Sequence, residues 1–265
     1  MILLSPFDLA LAAVLILLAA GLTHWMRIGE TTSLLVAAAR TVVQLLLIGY
    51  VLKAVFGNAH WLWVTLLALF MLIVAGREVT VRQSRRFTGA WSLALGSFSM
   101  FISAFSVTIL ALTIVIDASP WYTPQYAIPL LGMVLGNTMN GVSLGLDRLT
   151  QSASDKREII EARLMLGHRA ADAIANIRSD SIRVGMIPII NAMAAAGLVS
   201  LPGMMTGQIL AGSDPVEAVK YQILVMFLIA AGSIFGTAGA VWLGSRRLFD
   251  QRERLRLDRL KEGKS

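Results

Sequence analysis

Cysteine is absent from the 265 residues, which removes disulfides and zinc–thiolate sites and leaves no sign of a redox compartment. Histidine is scarce. His24, His60 and His168 are scattered over different loops and run ends, and no two share a metal-ligand spacing. Charged residues make up only 15% of the chain, and no pair of carboxylates falls inside an apolar run, so acid–base chemistry has no site. A nucleotide loop is missing as well. Glu262-Gly263-Lys264-Ser265 resembles the end of one, but a phosphate loop needs glycine five positions before Gly263, where Asp258 stands, and a helix after it. Energy for uphill work would have to enter through another subunit.

What the chain has instead is oil. It is 56% hydrophobic with a mean hydropathy of +0.71, too apolar for a soluble domain. Several runs approach or exceed the roughly 20 residues that cross a bilayer. They predict an all-α, polytopic transmembrane bundle of about seven spans, near 7–26, 34–56, 61–76, 91–116, 125–146, 184–206 and 218–243. The third is short and the sixth interrupted. The start, MILLSPFDLA, lacks a basic region and an early small-residue cleavage site, and reads as a first span rather than a signal peptide. The whole of 1–265 is expected to be one permease-like domain, with a polar segment at 147–183 and a basic tail at 244–265.

The net charge of +7 would suggest nucleic acid if it were not so unevenly placed. Arg77, Arg82, Arg85 and Arg86 gather in 77–90, seven basic residues face six acidic ones in 147–183, and eight face four after Gly244. The alternate connections, near 53–60, 117–124 and 207–220, hold only Lys53 and Lys220 as basic residues. Alternation of this kind is the positive-inside pattern. It orients the N-terminus outward and the C-terminus inward, makes 27–33, 77–90 and 147–183 cytoplasmic, and turns the tail Arg246–Lys261 into an anchor for anionic headgroups. Nucleic acid is not an expected partner; membrane lipid is.

Within the runs a few residues break the apolar pattern. Arg40 and Gln44 lie four apart on one helical face, where the arginine either serves a pathway or snorkels to the interface. Gly132 and Gly136 form one small-xxx-small pair and Gly141 and Gly145 another, on opposite sides of the fifth run, which predicts close neighbours on both sides. Asn137 and Asn140 share that run, as interhelical bonds or as pathway lining. The sixth run carries Asn191, Pro188 near its start and Leu201-Pro202-Gly203 near its end. Proline and glycine at membrane depth predict a gate over 200–208, including Pro202, Gly203, Met204 and Met205. Met186, Met193, Met204 and Met205 offer soft sulfur, or ordinary packing. Gly232 and Gly236 in the last run form another close-packing pair, or a self-association face.

The polar segment 147–183 is the centre of the reading. Ser154 and Asp155 offer a cap, with Asp155-Lys156-Arg157-Glu158 at capping-box spacing. A helix follows to Leu166, Gly167 ends it, and a second runs from His168 to Arg183 into the sixth span. Two helices hinged at a glycine make a docking surface rather than a reaction site.

Gly132–Arg148, the early Arg40-Thr41-Val42-Val43-Gln44-Leu45 and the long run from Ile187-Pro188 through LVSLPGMMTGQILAGSDPVEAVKYQI together resemble the FetB family of ABC-transporter permeases, to which plant aluminium-tolerance permeases are similar. The resemblance covers essentially the whole chain. It implies an inner-membrane permease, paired as a homodimer, that works with a separate FetA-type ATPase. ATP and magnesium would sit on that partner, with no cofactor on this chain. The bacterial branch is associated with iron export and oxidative-stress resistance; another metal, a sugar nucleotide, or a passive channel or proton-coupled carrier are the alternatives. Glu161-Ala162-Arg163 with Gly167 and His168 resembles the EAA coupling loop that inserts into the ATPase. It departs from that pattern in having arginine third, and Ser179-Asp180 where such loops often carry Leu-Pro.

Overall fold

The computed structural model describes residues 5–57 and 60–262; the excluded phosphate-loop stretch Gly263–Ser265 lies outside them. The chain divides into two compact units, before and after His60. The first is a pair of helices, α1 (Pro6–Trp25) and α2 (Thr31–Gly57). Ser5 starts α1 with a reciprocal capping box: its hydroxyl accepts from the Asp8 N–H, and the Asp8 carboxylate accepts from the Ser5 N–H at 2.8 Å. The hydroxyls of Thr23 and Thr31 meet at 3.1 Å across the turn between the two helices.

The second unit is built around α5 (Pro124–Asp155). It also contains α3 (Trp61–Val81), β1 (Arg85–Phe87), α4 (Trp91–Val115), α6 (Arg157–Met165), α7 (Ala170–Ala173), α8 (Ala175–Ala195), α9 (Gly203–Leu210), α10 (Pro215–Arg247) and β2 (Leu260–Glu262). α5 starts at the expected Thr123-Pro124 and packs against α3, α8 and α10. Val134, Val142, Leu146 and Leu149 are among its fully buried residues. Its 32 residues reach about 48 Å, well beyond a hydrocarbon core of about 30 Å, so its last turns stand in water.

Glycine determines how close the helices come along α5. A methyl group on Gly141 would lie 2.9 Å from the Gly185 carbonyl of α8, and one on Gly185 would lie 2.5 Å from the Gly141 carbonyl. Gly145 meets Val241 and Thr237 of α10 and the Ser181 carbonyl. At the first pair Gly136 faces open space, while a methyl group on Gly132 would lie 3.2 Å from the end of the Met71 side chain of α3, so close approach on that side rests on Gly132 alone. Gly232 and Gly236 of α10 are the close-packing pair their spacing predicts. They pack inside the chain, against Val134, Thr138 and Ser103, and are not free for self-association.

Six helices among the described residues are long and apolar enough to cross a membrane: α1, α2, α3, α4, α5 and α10. The sixth expected span is not one of them. α8 runs straight through Pro188, but its apolar part, residues 184–195, covers only about 18 Å before the helix ends at Ala195. The break therefore covers 196–202: it includes Leu201 and Pro202 of the expected interruption but begins before it, and most of the expected 200–208 gate is helical. Gly197 adopts φ +81 there, and the Ala195 carbonyl accepts from the N–H groups of Val199 and Ser200. Pro202 supplies the extended N-cap of α9, and Gly203–Gln208 is helical. Proline at that position starts a helix instead of ending one.

α4 is wound into π turns at Phe101–Phe105 and Ala111–Val115. The hydroxyls of Ser103 and Thr113 bond back to the Ser99 and Ile109 carbonyls, as expected of this span. Asp214 caps α10 as its sequence predicts, accepting from the N–H groups of Val216 and Glu217.

Candidate functional site

The polar segment does not begin with a cap of its own. Ser154 and Asp155 are the end of α5, and Lys156 alone breaks the helix before α6, with no side-chain cap. The capping box is absent because Asp155 stays helical. α6 is therefore an angled continuation of the rod that crosses the bilayer. It ends as expected at Gly167, where the backbone takes φ +87. The His168 N–H donates to the Arg163 carbonyl at 3.1 Å and the Gly167 N–H to the Leu164 carbonyl at 3.0 Å, the two bonds of a Schellman motif.

Two contacts brace the hinge. The Arg163 guanidinium donates to the Ala173 carbonyl at 3.3 Å, joining α6 to α7. A Glu253 carboxylate oxygen accepts from the Ala170 N–H at 3.1 Å, filling the N-terminus of α7, where Arg169 supplies no side-chain cap. Glu161 pairs with Arg157 at 2.8 Å on the exposed side of α6, beside the exposed Ala162. Ile160 is fully buried beneath them, while Met165 and Leu166 are 83% and 79% exposed at the tip, next to exposed Gly167 and His168. Two large apolar side chains thus stand out from a charged segment. Their exposure is the feature sequence reasoning missed, since Met165 reads as one of the helix's packing residues.

The segment is fixed to the bundle. Arg148 of α5 grips Asp180 of α8, both its Nε and Nη2 lying 2.8 Å from one carboxylate oxygen. Asp180 thus has a structural task where the coupling-loop pattern has proline. Asp147 accepts from the Ser84 N–H at 2.7 Å, Gln151 donates to Ser84 and Asp147, and Arg85 contacts Ser154, so the loop before α4 is tied to the same turns of α5. The tail joins in. β2 pairs antiparallel with β1, and Arg259 donates to the Arg247 and Phe249 carbonyls. Backbone and side-chain bonds from Arg254, with the Arg252 N–H, hold the Asp250 carboxyl at about 2, below its ordinary 3.8. The tail is a folded cap, more than the surface anchor its charge suggests.

The expected pathway residues fall in separate places. Arg40 and Gln44 lie on exposed turns of α2 in the first unit. Asn137 and Asn140 face outward from α5: Asn137 bonds to its own helix at Met133, and Asn140 accepts from Arg82 at 3.2 Å. Asn191 is exposed on α8 and Met204 is half-buried on α9. Pro202 and buried Met205 line one cavity of about 530 Å³ with Met193 and the exposed Gly197, against α10. Gln222 enters it from α10, 7% exposed, with its carbonyl oxygen unpaired. Gly203 begins α9 beside it. No group of three His, Cys, Asp or Glu side chains among the described residues could hold a metal ion.

The model of an uncharacterised protein family, UPF0014, matches residues 6–249. The chain belongs to the UPF0014 family. Among its UPF0014 relatives, the membrane protein slr1647 of Synechocystis is 39% identical over 241 residues, covering 89% of this chain and 91% of its own. A protein of Escherichia coli K12 named probable iron export permease protein FetB is 33% identical over 255 residues, 96% of both chains. Protein ALUMINUM SENSITIVE 3 of Arabidopsis thaliana is 28% identical over 234 residues, 88% of this chain and 84% of its own. No solved structure matches. Membership of a family of membrane proteins, with six helices long and apolar enough to cross a bilayer, makes this a multi-pass inner-membrane protein.

Proposed function

We propose that this chain is the permease subunit of an ATP-driven ABC transporter in the inner membrane, that it exports iron, and that a FetA-type ATPase supplies the motor. The supporting observation is the tip of α6: Met165 and Leu166 held in water by a Schellman turn, on a segment bonded to both α5 and α8. An ATPase cleft that takes this tip would push on α8 directly, and α8 leads to the break at 196–202 beside the 530 Å³ cavity. Two copies would frame one pathway, N-termini outward and polar segments in the cytoplasm. ATP and magnesium belong to the partner. The iron reading follows the name of the Escherichia coli relative.

The test is reconstitution of the chain with its ATPase in inverted vesicles. ATP-dependent uptake of ferrous iron is expected. Uptake of another metal or a sugar nucleotide instead would keep the transporter and replace the substrate; flux without ATP would make it a channel or carrier. Met165→Asp with Leu166→Asp should abolish ATPase co-purification at unchanged membrane yield. Retained co-purification would refute docking at this tip.

A further inference from the structure

A furrow of about 460 Å³ runs between α4 and α10. Its floor is made of small residues, Ser99 and Ser103 of α4 and Gly239 of α10, with both serines at least 94% buried. Its walls stand out from the surface: Phe98, Phe235 and Trp242 are 55%, 64% and 42% exposed. The π turn at Phe101–Phe105 explains the opening, because an i→i+5 turn rotates the residues after it away from ordinary helical register. On α10 the furrow runs from Phe235 toward Arg246, eleven residues or about 16 Å, which is the depth of one leaflet.

The furrow ends in positive charge. Arg246, one turn beyond Trp242, lies over that indole at 3.8 Å, and Arg247 lies over Trp91 at 4.5 Å. Arginine and tryptophan together mark headgroup level. The described ion pairs of the tail's carboxylates do not include Arg246. Asp250 pairs with Arg254 and Arg256, Asp258 pairs with Arg256, and Arg246 has no ion pair among the described residues.

We propose that this furrow is a binding site for one anionic phospholipid, with an acyl chain between α4 and α10 and its phosphate at Arg246. The occupant follows from the chemistry. The apolar face of another helix would fill the furrow but leave the arginine without a counter-charge, and a free phosphate would leave the furrow empty. The inference depends only on the membrane placement of α4 and α10 and is independent of the transport reading.

Native mass spectrometry of the detergent-purified full chain tests it, with phosphatidylglycerol and phosphatidylcholine of matched acyl chains added in turn. Phosphatidylglycerol should be retained about fivefold better by the wild type, and Arg246→Gln should remove the preference. Ile102→Trp, which fills the furrow while leaving the charge, should reduce retention of both lipids, and inorganic phosphate should not compete. The proposal is overturned if Arg246→Gln keeps the full preference, if the two lipids bind alike, if phosphate competes, or if Phe235→Cys cross-links two copies through the furrow.

Discussion

Gly167 shows what a single residue contributes here. Nothing lies within 4 Å of the position a β-carbon would take, so a substitution meets no steric clash, only the cost of φ +87. For an ordinary L-residue that cost is about 1–2 kcal/mol; asparagine tolerates the left-handed region better. Gly167→Ala should therefore uncouple ATP hydrolysis from transport at normal membrane yield, and Gly167→Asn should recover most of the coupling, both read in vesicles carrying the ATPase. Equal loss in the two variants would remove the backbone explanation. The glycine was legible in the sequence because it follows an amphipathic run. The roles of Arg163 and Glu253 were not, since each bonds a backbone group presented only by the folded chain. Glu253 reaches Ala170 across 83 positions of sequence, a distance no local pattern encodes.

Among elements, the contact between α5 and α8 and the break after α8 carry the consequences. Gly185→Ala places a methyl group against the Gly141 carbonyl and Thr237, so the helices must separate, at about 1–3 kcal/mol. Lower thermal stability in detergent should follow, and an unchanged melting temperature would show that the contact can relax. Gly141 and Gly145 were readable as a spaced pair of glycines, whereas Gly185 has only Ser181 four positions before it, a weaker signal of the same kind. The start of the break was missed for a related reason: proline reads as a helix breaker, yet Pro202 is an N-cap residue, and the left-handed position that only glycine takes easily is Gly197. Gly197→Ala should accordingly impair ATP-driven transport more than Pro202→Ala, with both variants reaching the membrane. The reverse ranking would return the gate to the proline.

At the scale of the whole molecule, the absence of cysteine makes topology directly measurable. Single cysteines at Met165 and at Thr123 should label from opposite faces of the membrane, Met165 from the cytoplasm; labelling from one face would undo the orientation. The folded tail allows a test by acid. Because the folded Asp250 value, about 2, lies below its ordinary 3.8, its stabilisation is complete above that ordinary value and fades as pH falls toward 2. Pepsin cleavage of the tail should rise across that interval in the wild type and be already high, with little further pH dependence, in Asp250→Asn. Composition alone revealed the helical membrane class, but the tail reads as loose charge because its order depends on pairing with β1.

That pairing also sets a timetable. In the ribbon, Arg85 stands opposite Glu262, so the first strand leaves the ribosome long before its mate exists. Until synthesis reaches Leu260, the strand after α3 has its edge unsatisfied, and a nascent chain stalled or truncated earlier still displays it. Closure of the ribbon is thus a late event, one that fastens the segment after α3 to residues made only after α10.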